Sequence, residues 1–131
     1  MIVVDSSVWI DFLRNRDTPQ TARLDQWLGQ QPIAVADLVL AEVLQGIPSD
    51  RDFENACRLF APFPVIAIGG VEIALQAARH YRALRAIGVT VRKTVDTLIA
   101  TCCIADGHAL LFSDRDFVPF VTHLGLVDAM G

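Results

Sequence analysis

Short apolar runs alternate with longer helical patterns along this 131-residue chain. The runs at 2–4, 64–68 and 109–112 are continuous and apolar, which is typical of strands buried on both faces. Segment 124–127 predicts a late edge strand. Helical patterns lie at 6–14, 20–30, 37–45, 51–60, 70–87 and 95–106. This alternation predicts an α/β fold in which helices cover both faces of a parallel sheet.

Several residues mark the ends of the predicted helices. Gly46, Gly88 and Gly107 each follow a helical pattern, at positions where glycine commonly ends a helix. Asp37 stands where the helix over 37–45 begins, so we interpret it as a structural N-cap.

Length and composition predict one soluble domain spanning residues 1–131. Hydrophobic residues make up 53% of the chain, and no repeat or linker-like stretch divides it. The apolar run after Met1 is too short for a signal peptide, and later runs fall short of the ~20 apolar residues of a membrane helix. The three cysteines lack zinc or redox spacing and are interpreted as reduced core thiols. We therefore expect a cytoplasmic protein with no membrane contact.

Two carboxylates directly follow predicted strands. Asp5 comes after the run at 2–4, and Asp114 follows 109–112 with only Ser113 between. Because parallel strands present their carboxyl ends at one edge of a sheet, neighbouring strands would bring these acids together there. Asp is also a common turn and cap residue, so a purely structural role stays open.

Two further acids lie in apolar helical segments. Glu42 is in the middle of LVLAEVLQG, where an unpaired buried carboxylate is costly. Asp96 opens VDTLIATCCIA, where it could also be an ordinary first-turn acid favoured by the helix dipole.

Acids gathered without matching bases require a cation, because like charges at short range disfavour ionisation. Hard oxygen ligands suit Mg²⁺ or Mn²⁺. The three histidines have no zinc-ligand spacing. One or two such ions would activate a water molecule and neutralise charge on a phosphodiester.

The formal net charge is −4, yet one segment is strongly basic. Between Glu72 and Asp96 there is no acid, and a solvated helix face or a polyanion-binding stripe explains this run equally well. Its basic residues are Arg79, Arg82, Arg85, Arg92 and Lys93.

Four blocks in this order resemble the PIN domain, in particular the VapC toxins of type II toxin–antitoxin systems. The blocks are VVDSSVWIDFLR at 3–14, LAEVLQG at 40–46, VDTLIA at 95–100 and LLFSDRDF at 110–117. The resemblance spans essentially the whole chain. It implies a three-layer α/β/α sandwich around a parallel sheet, and Mg²⁺- or Mn²⁺-dependent endoribonuclease activity.

The resemblance also implies roles for individual residues. The catalytic acids would be Asp5, Glu42, Asp96 and Asp114, all of them also metal ligands. Asp116 is a possible fifth ligand, and whether it binds the ion directly stays open. Ser6 and Ser113 would hold the acids in place. Under this interpretation the basic run contacts RNA phosphates, the protein is a homodimer, and a cognate VapB-like antitoxin inhibits it.

Two alternatives remain at this point. A catalytically degenerate PIN-like module would bind RNA or a protein without cutting, although all four acids are intact. An aspartyl-phosphate phosphatase or receiver domain also places an acid after its first strand. The phosphatases need a second Asp where this chain has Ser7, and a receiver needs a late Lys where it has Ser113 and Asp114.

Overall fold

A computed structural model describes residues 1–131 and contains one five-stranded sheet in which every pairing is parallel. The strand order is β3-β2-β1-β4-β5. The strands are β1 (Ile2–Val4), β2 (Ile33–Ala36), β3 (Val65–Ile66), β4 (Ala109–Leu111) and β5 (Val127–Asp128). The predicted parallel sheet is confirmed.

Seven helices cover the sheet in two groups. They are α1 (Ser6–Leu13), α2 (Pro19–Trp27), α3 (Asp37–Gln45), α4 (Asp50–Phe60), α5 (Val71–Ala86), α6 (Thr94–Asp106) and α7 (Val118–Leu124). Helices α1 to α4 pack among themselves, and α5 packs against α6 and α7. Crossovers between parallel strands are almost always right-handed. Because the chain reverses its direction across the sheet after β3, such crossovers place the two groups on opposite faces. The result is the predicted three-layer α/β/α sandwich. None of the helices combines the length and hydrophobicity that a membrane crossing requires.

The core lies between the sheet and both helical layers. Strand residues such as Val4, Val35 and Leu110 are almost fully buried. Trp9 of α1 is also buried, and its ring lies 4.8 Å from that of Phe60 between centroids. Cys102 and Cys103 are buried, Cys57 is half-buried, and none forms a disulfide. Anchoring α1 through Trp9 fixes the segment that carries Asp5.

The sequence prediction misplaced one strand and did not include three of the observed elements. Strand β2 was not predicted, because its run IAVA continues into the apolar residues of α3 without a turn signal. The edge strand lies at Val127–Asp128 instead of 124–127. The sequence prediction also lacked α7 and the short 3₁₀ turn at Arg115–Phe117, since Pro119 interrupts any clear helical period there.

Two details of the helix ends differ from expectation. Ala36, not Asp37, is the N-cap of α3. Asp37 Oδ1 accepts hydrogen bonds from Leu38 N–H at 2.8 Å and from Ile68 N–H at 3.1 Å, so it joins α3 to the segment after β3. Gly107 ends α6 in the left-handed conformation, as expected, but Gly46 ends α3 with an ordinary φ of −84°.

Candidate active site

The sheet has a topological switch point between β1 and β4. From β1 the chain first builds β2 and β3 on one side, and then crosses to β4 and β5 on the other. Ligand sites in parallel sheets collect at the carboxyl ends of the strands at this point. Asp5 and Asp114 follow β1 and β4 here, and Asp5 N–H donates to Leu111 O at 2.9 Å. The expected adjacency of the two strands is therefore present.

Asp5 is both the first residue after β1 and the N-cap of α1. Its side chain is buried, and Oδ2 accepts hydrogen bonds from Ser7 N–H at 3.1 Å and from the Ser7 hydroxyl at 2.6 Å. Oδ1 is buried without a partner. Burial raises the pKa of Asp5, and the Ser7 hydrogen bonds offset part of that rise. One oxygen is thus held in place while the other lacks a donor.

Glu42 projects from the middle of α3 and is half-buried. Its Oε1 is buried without a hydrogen-bond partner. Burial raises the pKa of Glu42 and the negative charge of Asp5 adds to the rise, whereas Lys93 and the Ser6 hydroxyl oppose it. Glu42 therefore lies within electrostatic reach of Asp5, although the two come from different elements.

Asp96 lies in the first turn of α6 and is only 4% exposed. Its Oδ2 has no hydrogen-bond partner. Burial first, and then the charges of Asp5 and Asp114, raise its pKa to about 7. An acid that only capped a helix would have its charged form favoured, and thus a lowered pKa. Burial among other acids instead favours the protonated form of Asp96 and raises its pKa.

Asp114 and Asp116 bracket the start of the 3₁₀ turn after β4. Asp114 Oδ1 accepts a hydrogen bond from Asp116 N–H at 2.9 Å. One carboxylate oxygen from each of Asp96, Asp114 and Asp116 lies within 4.8 Å of the other two, which we call the acidic cluster. Asp116 also accepts from Arg92 Nη2, which is 3.3 Å from each of its oxygens.

Ser7, which was not among the predicted site residues, is the serine that contacts Asp5. The Ser7 hydroxyl donates to Asp5 and lies 3.4 Å from Ser113 N–H, so Ser7 links the ends of β1 and β4. Ser113 Oγ is buried without a partner. Sequence reasoning missed Ser7. The available signal was the pattern Asp-x-Ser at a helix start, where an N-cap Asp accepts from the second helical residue.

The basic run divides into two parts in the structure. Arg79, Arg82 and Arg85 are exposed on α5, and none of them forms an ion pair. Arg92 and Lys93 lie in the segment between α5 and α6, next to the acids. Arg92 pairs with Asp116, and the charge of Lys93 lowers the pKa of Glu42 and Asp96.

The donor set at the switch point fits a divalent cation. Asp5, Glu42 and Asp96 each contribute a buried oxygen with no hydrogen-bond donor, and the acidic cluster adds Asp114 and Asp116. All of these ligands are hard oxygen atoms, and no imidazole or thiolate joins the acidic cluster.

Comparisons with known proteins found curated ribonucleases among the relatives of this chain. Ribonuclease VapC11 of Mycobacterium tuberculosis is 29% identical over 119 residues, which cover 89% of each chain. A VapC ribonuclease of Mycobacterium bovis matches equally well.

Solved structures share the fold at lower sequence identity. The VapBC2 complex of Rickettsia felis, bound to promoter DNA, aligns with a TM-score of 0.75 and 17% identity over 97% of this chain and 96% of that one. VapC20 of Mycobacterium tuberculosis, a toxin that cleaves the sarcin-ricin loop, aligns with a TM-score of 0.69 and 19% identity over 98% of both chains. Residues 2–119 match the profile of the PIN domain. The chain belongs to the PIN domain family.

Proposed function

We propose that this protein is a cytoplasmic endoribonuclease that requires Mg²⁺ or Mn²⁺ and acts as the toxin of a type II toxin–antitoxin pair. The observation that carries this proposal is the set of three buried carboxylate oxygens without donors, from Asp5, Glu42 and Asp96, beside Asp114 at the switch point. Membership of the PIN family and the ribonuclease names of the relatives support it.

Asp96, Asp114 and Asp116 of the acidic cluster are proposed ligands of the ion. Asp5 and Glu42, each with a buried oxygen that lacks a donor, are proposed to complete the ligand set. When bound, a divalent cation supplies positive charge that stabilises the phosphodiester transition state and favours deprotonation of a water molecule. No nucleophilic side chain is needed for this hydrolysis.

The remaining residues of the site position these acids and the substrate. Ser7 fixes the orientation of the Asp5 carboxylate, so that Oδ1 stays available. The Ser6 hydroxyl lowers the pKa of Glu42, which favours the charged form of that carboxylate. The Ser113 backbone, through its contact with Ser7, holds the end of β4. Arg92 and Lys93, with the exposed arginines of α5, provide the cations that RNA phosphates require.

A groove between α1, α3 and α4 suits the proposed antitoxin. It encloses about 750 Å³, and half of its lining residues are apolar: Ile10, Leu13, Val43, Ile47, Ala56 and Leu59. An amphipathic helix of a VapB-like antitoxin would bury its apolar face there. An Arg or Lys from a further segment of the same partner would then bind the carboxylates of the site and crowd the ion.

Mapping of RNA ends in cells tests the ribonuclease proposal. Brief induction of the wild-type chain should create new 5′ and 3′ ends at defined RNA positions, and induction of Asp5→Asn should not. New ends in both cultures, or in neither, would contradict the proposal. A degenerate module that only binds RNA predicts no new ends.

Co-expression tests the antitoxin. The chain alone should arrest growth, and co-expression with the neighbouring small open reading frame should restore growth and yield a complex on purification. Equal growth in both cultures, with no small protein co-purifying, would contradict a toxin–antitoxin role.

A further inference from the structure

Arg92 connects the basic run to the acidic cluster. It lies in the segment before α6, and its side chain is 78% exposed. Its Nη2 donates to both oxygens of Asp116 at 3.3 Å, while Nε and Nη1 make no hydrogen bond. Asp116 is 22% exposed and belongs to the acidic cluster. One cluster carboxylate is therefore neutralised by a cation of the protein itself.

The Arg92–Asp116 ion pair can separate with little loss of stability. Exposed ion pairs contribute little to stability and are screened by salt, so separating this one costs the fold little. The guanidinium keeps its positive charge at every physiological pH, because arginine is not deprotonated in proteins. Its unused donors match the geometry of a phosphate. The Asp5–Ser7 contact is different, because it is only 2.6 Å long and its acceptor, Asp5, is buried.

We propose that Arg92 is a charge-exchange residue: it neutralises Asp116 while the acidic cluster holds no divalent cation, and moves to an RNA phosphate when a cation takes its place. This inference rests on the proposed function, since it assumes that the acidic cluster binds a divalent cation. Cation binding and RNA binding are then positively coupled, and the coupling is reciprocal. Arg92 would act both as a competitor of the ion and as a positioning residue for the substrate.

If Arg92 instead positions Asp116 for the metal, its removal should change metal affinity in the opposite direction. If the ion pair held Asp116 in the orientation that a metal needs, removal of Arg92 would weaken metal binding. If Arg92 competes with the ion, its removal strengthens metal binding. Metal affinity without RNA therefore separates the two roles.

The test is a Mn²⁺ titration of the metal-free full-length protein, read by calorimetry or electron paramagnetic resonance. Arg92→Ala should bind Mn²⁺ about two- to fivefold more tightly than the wild type, as expected for the loss of one exposed counter-charge. Arg51→Ala removes the same charge from an exposed position of α4 with no ion pair and no proposed RNA contact, and it should match the wild type. In an Asp116→Asn background, Arg92→Ala should have no effect on Mn²⁺ affinity.

A second arm measures binding of a 2′-O-methyl RNA oligonucleotide by fluorescence anisotropy, with and without Mn²⁺. Mn²⁺ should increase the affinity of the wild type for this probe, and Arg92→Ala should lose most of the increase. Arg92→Lys, which keeps the charge but not the planar donor set, should retain part of it.

The outcomes separate this inference from the proposed function. Equal or weaker Mn²⁺ binding by Arg92→Ala overturns the charge exchange, while metal-dependent RNA cleavage by the same protein would leave the proposed function standing. Absence of Mn²⁺ binding by both wild type and variant contradicts the inference together with the proposed metal site.

Discussion

Three carboxylate oxygens at the site, one each from Asp5, Glu42 and Asp96, are buried without a hydrogen-bond donor. Burying an ionised group without a partner is unfavourable, and the negative charges of the neighbouring acids increase the penalty. The same acids would be stabilised by a divalent cation, which supplies the missing positive charge. At the scale of single residues, the metal-free protein is therefore expected to be less stable than its fold alone would allow.

Asp96→Asn should stabilise the metal-free protein above neutral pH. The pKa of Asp96 is raised from 3.8 to about 7, so between about pH 4 and pH 7 the folded state binds more protons than the unfolded state. Stability consequently falls as pH rises through this range, and the loss is complete above pH 7. Solvent screening reduces the effect, and we expect a gain of about 1–2 kcal/mol, or roughly 4–8 °C in Tm, at pH 8.

Thermal melts in EDTA at pH 4 and pH 8 measure this effect. Wild type and Asp96→Asn should melt at similar temperatures at pH 4 and diverge at pH 8, and RNA cleavage by the variant should be strongly reduced. Asp25→Asn, at an exposed position of α2, provides the control for loss of one charge. A lower Tm for Asp96→Asn at pH 8 would instead support the structural role of a first-turn acid.

Ser7→Ala should weaken the site more than Ser6→Ala. The Ser7 hydroxyl donates to Asp5 at 2.6 Å, and groups that orient a metal ligand commonly affect metal affinity or activity by about 10- to 100-fold. We expect at least about tenfold lower RNA cleavage and weaker Mn²⁺ binding for Ser7→Ala, with partial recovery in Ser7→Thr. The reverse ranking of the two alanine variants in a Mn²⁺ titration would contradict this role.

The sequence predicted the acids of the candidate site better than their contacts. Asp5 and Asp114 stand out because each follows an apolar strand, and Glu42 because its helix is apolar. The contact of Ser7 with Asp5 could have been predicted from the Asp-x-Ser pattern at the start of α1, because an N-cap Asp accepts a hydrogen bond from the second helical residue. The pairing of Arg92 with Asp116 depends on the path of the chain before α6, for which the sequence carries no local signal.

At the scale of elements, prediction succeeded where glycine residues clearly marked the ends of helices. Gly88 and Gly107 both have positive φ angles after helices, as the sequence indicated. Strand β2 was missed because the chain passes from β2 to α3 between Ala36 and Asp37 without any connecting residue. Periodicity alone cannot divide such a continuous apolar run into a strand and a helix.

The two glycines that end α3 and α6 should respond differently to alanine. Gly107 has φ +72°, which alanine adopts only with strain, so Gly107→Ala should destabilise the protein by about 1 kcal/mol. Gly46 has φ −84°, and an added Cβ would meet only Val43 O at 3.7 Å. Gly46→Ala should therefore be neutral or slightly stabilising. Urea denaturation of both variants checks the difference, and equal losses of stability would contradict it.

At the scale of the whole molecule, the sheet order explains why acids far apart in sequence share one site. The reversal after β3 brings β4 beside β1, so the first and last acids of the sequence pattern meet at the same edge. Alternating strands and helices predicted the parallel sheet. Strand order could not be read from one sequence, because it depends on which edge each crossover returns to.

We predict that the protein is a homodimer at micromolar concentration. Val71 and Leu75 are one turn apart on α5 and are 75% and 55% exposed, and Ile87 lies exposed just beyond the helix. Such apolar groups favour contact with a second copy. Light scattering should give twice the 14.4 kDa of one chain, and Leu75→Glu should shift the mass towards the monomer. A mass of 14.4 kDa for the wild type would contradict the dimer.

The proposed activity requires that the acids at the switch point act through a divalent cation. The most direct measurement is cleavage of RNA by the purified protein in Mg²⁺, in Mn²⁺ and in excess EDTA, with Asp5→Asn prepared in parallel. We predict cleavage by the wild type in either metal, none in EDTA, and recovery when Mg²⁺ is added back. Cleavage that continues in EDTA, and that Asp5→Asn shares, would contradict metal-dependent catalysis by these acids.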